Sequence, residues 1–136
     1  MALVSVESEM FNTRQDDDPI TRRIIECAID VHAELGPGLL EQAYLQAMCA
    51  AFMDEKMGFA KERAYPIKYK GREIGVYRPD LIVEDQVVVE IKSVERFDPV
   101  FIAQMLTYLK ITHHHVGLIL NFNRPRLVDG VKRVIL

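Results

Sequence analysis

The stretch YRPDLIVEDQVVVEIKS, residues 77–93, has the apolar pattern of two β-strands joined by a turn, and its reading decides how the rest of the chain is placed. Val, Ile and Leu dominate it, yet Asp80, Glu90 and Lys92 stand where a strand buries apolar side chains. Side chains alternate faces along a strand, so Glu90 and Lys92 share one face while Val89 and Ile91 share the other. The face of Asp80 depends on the turn. A loop of Glu84, Asp85 and Gln86 sets Val83 opposite Val87 and Asp80 opposite Glu90. A loop one residue shorter pairs Asp80 with Ile91 and sends the carboxylates to opposite faces, because a one-residue slip inverts every side chain.

In the first register two carboxylates face each other with Cβ atoms about 4.5–5.5 Å apart, which destabilises a sheet unless something positive compensates. Lys92 is one candidate. A hard divalent cation is another, since such ions take one or two carboxylates and complete their shell with water and phosphate. Two carboxylates with an adjacent lysine are what metal-assisted phosphodiester hydrolysis needs, the ammonium positioning the nucleophile or sharing the phosphate charge. Pro79 cannot donate to a strand ladder, so it belongs at an edge or a bulge, and bulges often re-aim side chains beside active sites. The plainer alternative is an exposed hairpin face on which Glu90 and Lys92 are chance neighbours.

Upstream, Asp18 followed by Pro19 is a helix-start signal, and Ile20, Ile24, Cys27, Val31 and Leu35 recur at helical spacing up to Gly36. A second helix is expected over residues 39–57, apolar at Leu40, Tyr44, Leu45, Met48 and Phe52 and stopped by Gly58. Strands are expected at 65–69, 72–83 and 87–92, forming a meander that turns at Lys70 and Gly71 and again at residues 84–86. A third helix follows Asp98 and Pro99 and turns Ile102, Met105, Leu106 and Leu109 inward. VGLILNF, residues 116–122, reads as a strand buried on both faces. GVKRVIL, residues 130–136, reads as a last edge strand open to pairing with a second copy of the chain. This order predicts an α/β fold with a mixed central β-sheet flanked by helices.

At 136 residues, 49% hydrophobic and 27% charged, the chain has the size and composition of one globular domain. No apolar run approaches the ~18 residues that span a bilayer, and the opening MALVSVESEMFNTRQDDD lacks the features of a signal peptide. A soluble cytoplasmic protein without a membrane partner is expected. Cys27 and Cys49 show no metal or disulfide spacing and read as small core residues. Residues 1–17 are polar, acidic and aperiodic, so a mobile tail is expected ahead of a domain over residues 18–136. Residues 1–18 carry a net charge of −4, whereas KERAYPIKYKGREIGVYR, residues 61–78, is locally +4 with tyrosines interleaved. Lys68, Lys70, Arg72 and Arg78 in that stretch form a stripe suited to tracking phosphates, or else they are the solvated faces of strands.

RPD at 78–80 followed by EIK at 90–92 resembles the bipartite signature of the PD-(D/E)xK nuclease superfamily, with Asp80, Glu90 and Lys92 in its three positions. QMLTY, residues 104–108, resembles the QxxxY motif of its RecB/Cas4-like branch. GLLEQAY, residues 38–44, is similar to the GxxExxY pattern after which one family is named, and the resemblance to that family runs in order over roughly residues 18–136. It implies a restriction-endonuclease-like core and one or two Mg²⁺ or Mn²⁺ ions held by Glu41, Asp80 and Glu90, with the backbone carbonyl of Ile91 as a further ligand. It also implies that Lys92 orients or activates water and that Gln104 and Tyr108 support the substrate or Lys92. Helical spacing puts Glu41 and Tyr44 on one face, and Gln104 and Tyr108 likewise, although Tyr44 also reads as core. THHHVG, residues 112–117, departs from the pattern. Consecutive histidines do not converge readily on one ion, so His113, His114 and His115 read as a connecting loop, and His32 as structural.

The leading expectation is a metal-dependent nuclease-like protein acting on nucleic acid, DNA in the first instance. A catalytically silent nucleic-acid-binding or regulatory module on the same fold is the alternative, and it would need the basic stripe but not the carboxylates. A purely structural or toxin-antitoxin-like partner protein is a third class, for which no residue pattern speaks.

Overall fold

Asp18 and Pro19 start helix α1 (Pro19–Leu35) as the sequence predicts, with Asp18 Oδ1 accepting from the Ile20 amide at 3.0 Å and Oδ2 from the Thr21 hydroxyl at 2.6 Å. The computed structural model of the chain describes residues 5–7, by their backbone, and residues 18–136. Gly36, at φ 74°, ends α1 and donates its amide to the His32 carbonyl at 2.8 Å. Helix α2 (Glu41–Asp54) is shorter than the expected 39–57. Its chain reverses at Lys56, which takes the left-handed conformation at φ 57°, and the Met57 amide returns to the Phe52 carbonyl, so Gly58 is not what stops it.

The strands depart from a simple meander. A short strand β2 (Phe59–Lys61) that the sequence reading missed is followed by β3 (Tyr65–Tyr69) and β4 (Arg72–Tyr77), which pair only with each other. The expected strand over 72–83 is in fact two strands in two sheets. It breaks at Arg78, Pro79 and Asp80, where proline offers no amide for a ladder, and resumes as β5 (Leu81–Val83). Then come β6 (Val87–Lys92), helix α3 (Val100–Thr112), β7 (Val116–Asn121), a 3₁₀ turn (Leu127–Gly130) and β8 (Val131–Ile135).

With β1 (Ser5–Glu7), the main sheet runs β1-β8-β7-β6-β5-β2, mixed because β6 and β7 are parallel across the α3 crossover while the other neighbours are antiparallel. Strand β8 is therefore not an edge. The backbone of Ser5–Glu7 covers the side that was expected to be open to a second copy. The other residues of the expected acidic tail lie outside the described residues. No helix among the described residues is long and apolar enough to cross a membrane.

Alternation along β6 divides the core. Val87, Val89 and Ile91 pack with α1 and α2, through Ile24, Ala28, Tyr44, Met48 and Phe52, on one face. Val88 packs with Ile82, Ile119, Met105 and Leu109 on the α3 face. Gly117 lets α3 lie close to the sheet, since a Cβ there would collide with Met105. Cys27 and Cys49 are buried free thiols, as expected. His32 is buried with Nε2 2.8 Å from the Arg124 carbonyl oxygen, an acceptor, so this nitrogen carries the proton in a structural bond.

Candidate active site

The hairpin turn settles the register. Glu84 and Asp85 both adopt left-handed φ, near 52° and 51°, and the Gln86 amide donates to the Val83 carbonyl at 3.0 Å. Val83 then pairs with Val87, Ile82 with Val88 and Leu81 with Val89. One step further the ladder ends, because Pro79 turns the chain away, and Asp80 falls opposite Glu90. Side chains replace the missing backbone rungs there. The Asp80 amide donates to Glu90 Oε2 at 3.1 Å, and the Ile91 amide donates to Asp80 Oδ2 at 2.8 Å. The N–H and C=O of a strand residue leave on the same edge, so the Ile91 carbonyl also faces Asp80 rather than β7.

Both carboxylates lie on the α3 face, half-buried, where water screens their charges little. Burial first, and the Asp80 charge second, push Glu90 up to about 8, against the pull of the donors that hold it. One of these is Tyr77, whose hydroxyl donates to Glu90 Oε1 at 2.8 Å. Burial and then the Glu90 charge push the Tyr77 hydroxyl far above its ordinary range, so it remains a protonated donor. Its ring stacks on Tyr108 of α3 with centroids 3.9 Å apart and planes within 12°. Burial, with Glu90 and Asp80 behind it, raises Tyr108 as well.

Lys92, one of the two candidates for offsetting the carboxylates, does not pair with them in the structure. Among the described residues no ion pair joins Lys92 to Asp80 or Glu90. Its side chain shares the Glu90 face, but its ammonium lies over the Phe101 ring, 4.3 Å from the centroid. Gln104 lies one helical turn before Tyr108 on the same side of α3, half-buried. Glu41 is the residue the structure does not bring in. It opens α2 on the opposite face of the sheet, exposed, with no partner among the described residues. The end of the sheet links it to the site, where the Ser93 hydroxyl donates to the Leu39 carbonyl at 2.6 Å. Tyr44 is core, fully buried, with its hydroxyl between the Gly36 carbonyl and the Leu39 amide.

Tyr77, Phe101 and Asn121 are the positioning residues that sequence reasoning missed. Asn121 is buried and clamps the chain after β6, accepting from the Val94 amide at 3.1 Å and donating to the Val94 carbonyl at 3.0 Å. A signal existed only for Tyr77, three residues before Asp80 in a strand otherwise exposed. Lys68, Lys70, Arg72 and Arg78 are all exposed on or beside the β3–β4 ribbon, with Glu73 across the ladder from Lys68. The histidine run is a connection. His113 ends α3 in the left-handed conformation, and His114 Nε2 lies 3.2 Å from Asp85 Oδ1.

No group of three or more His, Cys, Asp or Glu side chains able to hold an ion gathers among the described residues. The donor chemistry at Asp80 and Glu90 nevertheless suits a hard divalent cation. Two carboxylates converge, and among the described residues no cation is paired with either of them.

No curated protein and no solved structure gives a significant match to the chain. The family model described as the PD-(D/E)XK nuclease superfamily matches residues 18–134, which include the break at Pro79, the carboxylate pair, Lys92 and α3. Nucleases of this superfamily generally use divalent ions, typically Mg²⁺ or Mn²⁺. The described domain, with its mixed sheet, flanking helices and carboxylates at a strand end, belongs to the PD-(D/E)XK nuclease superfamily.

Proposed function

We propose that this chain is a metal-dependent nuclease that hydrolyses phosphodiester bonds in DNA, and that it belongs to the GxxExxY, RecB/Cas4-like part of the superfamily. The observation that carries this reading is the interlocked Asp80–Glu90 pair at the end of β5, with Lys92 on the same face of β6. Asp80, Glu90 and the Ile91 carbonyl would hold Mg²⁺ or Mn²⁺, and Glu41, at the start of α2, would join them only if it swung round the end of the sheet. The ion would supply Lewis acidity and offset the charge of the two carboxylates and the phosphate.

The chain's own residues do the rest. Tyr77 fixes the rotamer of Glu90 by its hydrogen bond, so the carboxylate is preorganised. Lys92, drawn off the Phe101 ring, orients the attacking water and shares the negative charge that develops on the phosphate. Gln104 and Tyr108 face the same space from α3 and hold a phosphate oxygen or Lys92 in place. Water adds to phosphorus and gives up a proton, the bond to the leaving oxygen breaks, and that oxygen takes up a proton, so none is gained or lost in forming the alcohol. Lys68, Lys70, Arg72 and Arg78 supply the field that draws the backbone of the nucleic acid to the ribbon.

The separation of Glu41 from the carboxylates favours the second reading, a silent nucleic-acid-binding or regulatory module on the same fold. Cleavage of plasmid and oligonucleotide DNA in Mn²⁺, by wild type and Lys92→Ala, separates the two. Cleavage by the wild type that the variant loses supports the nuclease, and equal cleavage by both contradicts the role given to Lys92. Binding of DNA without cleavage in any metal supports the module.

A further inference from the structure

A cleft of about 460 Å³ lies between β3 and the end of α3, lined by residues 65–68 of the strand and by Lys110, Ile111 and His113. We propose that it is the subsite for one unpaired nucleotide next to the scissile phosphate, with phosphate on Lys68 and Lys110 and the base against Tyr65, Ile67 and Ile111. This rests on the nuclease reading above and adds to it a strand preference and a residue, Lys110, outside the basic stripe.

Three features carry the assignment. The volume falls in the range of small-ligand pockets, and its make-up is theirs, an apolar floor with a few polar groups at the rim. Both ammonium groups are exposed and have no hydrogen-bond or ion-pair partner among the described residues, so they are free to meet an anion. The cleft is linked to the carboxylates through Tyr77. Tyr65 pairs in the ladder with Tyr77, the residue that holds Glu90. Along α3, Ile111 follows Tyr108 by three residues and so lies on the same side of the helix, about 4.5 Å further along it, with Lys110 and His113 flanking it. That is about one nucleotide at the ~3.4 Å spacing of a stacked strand.

The apolar floor decides between strand types. A base in a duplex is covered on both faces, whereas an unpaired base can stack on tyrosine and aliphatic side chains. By contrast, the cleft of about 370 Å³ between α1 and α2, lined by Asp30, Glu34, Asp54 and Glu55 around Cys27, is acidic and lies across the sheet from the site.

Fluorescence anisotropy with a labelled single-stranded oligonucleotide and its duplex, in EDTA at several salt concentrations, tests the proposal. The wild type is expected to prefer the single strand. Lys68→Ala and Lys110→Ala should each weaken that binding and reduce the slope of log K against log salt by about 0.7. Ile111→Ser should weaken it with the slope unchanged. Unchanged slopes in both lysine variants, equal or tighter binding of duplex, or no wild-type binding to either form would overturn the proposal. The two readings fail separately, because metal binding by the wild type reports on the carboxylates and the slopes, taken without metal, report on the cleft.

Discussion

The rings of Tyr77 and Tyr108 lie face to face, 3.9 Å between centroids and 12° from parallel, and so join the ribbon strand β4 to helix α3 beside the Tyr77–Glu90 hydrogen bond. The two phenols differ in what their hydroxyls do. That of Tyr77 is spent on Glu90, whereas that of Tyr108 has no hydrogen-bond partner among the described residues.

Tyr77→Phe should therefore lower stability by about 1–3 kcal/mol, the cost of leaving the half-buried Glu90 carboxyl without its donor. Tyr108→Phe keeps the stack and should stay within ~0.5 kcal/mol of wild type while slowing cleavage. Urea unfolding of both variants checks the first pair of statements, and a cleavage assay the last.

The metal-free protein should lose stability as pH rises from about 4.5 to about 8. Glu90 is raised from an ordinary value of 4.5 to about 8, so in this window the folded state holds a proton that the unfolded chain releases. Stability from this source is complete below the window and gone above it. Asp80→Asn keeps an acceptor for the Ile91 amide but removes the opposing charge, so it should flatten the slope and raise stability near pH 8 by up to ~1 kcal/mol. Melting temperatures in EDTA across pH 5–9 measure both effects.

Glu41→Ala should leave metal-free stability within ~0.5 kcal/mol of wild type, since an exposed side chain without a partner holds nothing in place. Its effect should be confined to affinity for Mn²⁺, which is expected to fall. A stability loss without change in metal affinity would give Glu41 a structural role instead.

Phe101→Leu removes the ring under the Lys92 ammonium and should cost about 0.5–1 kcal/mol beyond lost packing. Cleavage should slow because Lys92 loses its resting position, with Mn²⁺ affinity unchanged. Comparing the turnover rate with a calorimetric metal titration separates these effects.

The hairpin was legible because its apolar residues leave few registers, and the three-residue turn placed Asp80 against Glu90 as one of two stated options. The helices were legible from Asp18, Pro19, Asp98 and Pro99. What failed was the extent of the strand over 72–83, for Pro79 marks a break in the ladder but not the fact that the chain changes sheets there. Short β2 carries too few residues to show a period. The Lys92–Phe101 and Tyr77–Tyr108 contacts join elements far apart in the chain, and no spacing rule reaches across such distances. The resemblance supplied Glu41, which the fold sets on the other face of the sheet.

The central claim is that Asp80 and Glu90 form a cation site. Calorimetric titration of Mn²⁺ into wild type and Asp80→Asn at neutral pH tests it without needing a substrate. Binding by the wild type, weakened at least about tenfold in the variant, is the expected result, a change of ~1.4 kcal/mol or more. No wild-type binding at roughly millimolar metal, or equal binding by both proteins, would contradict it.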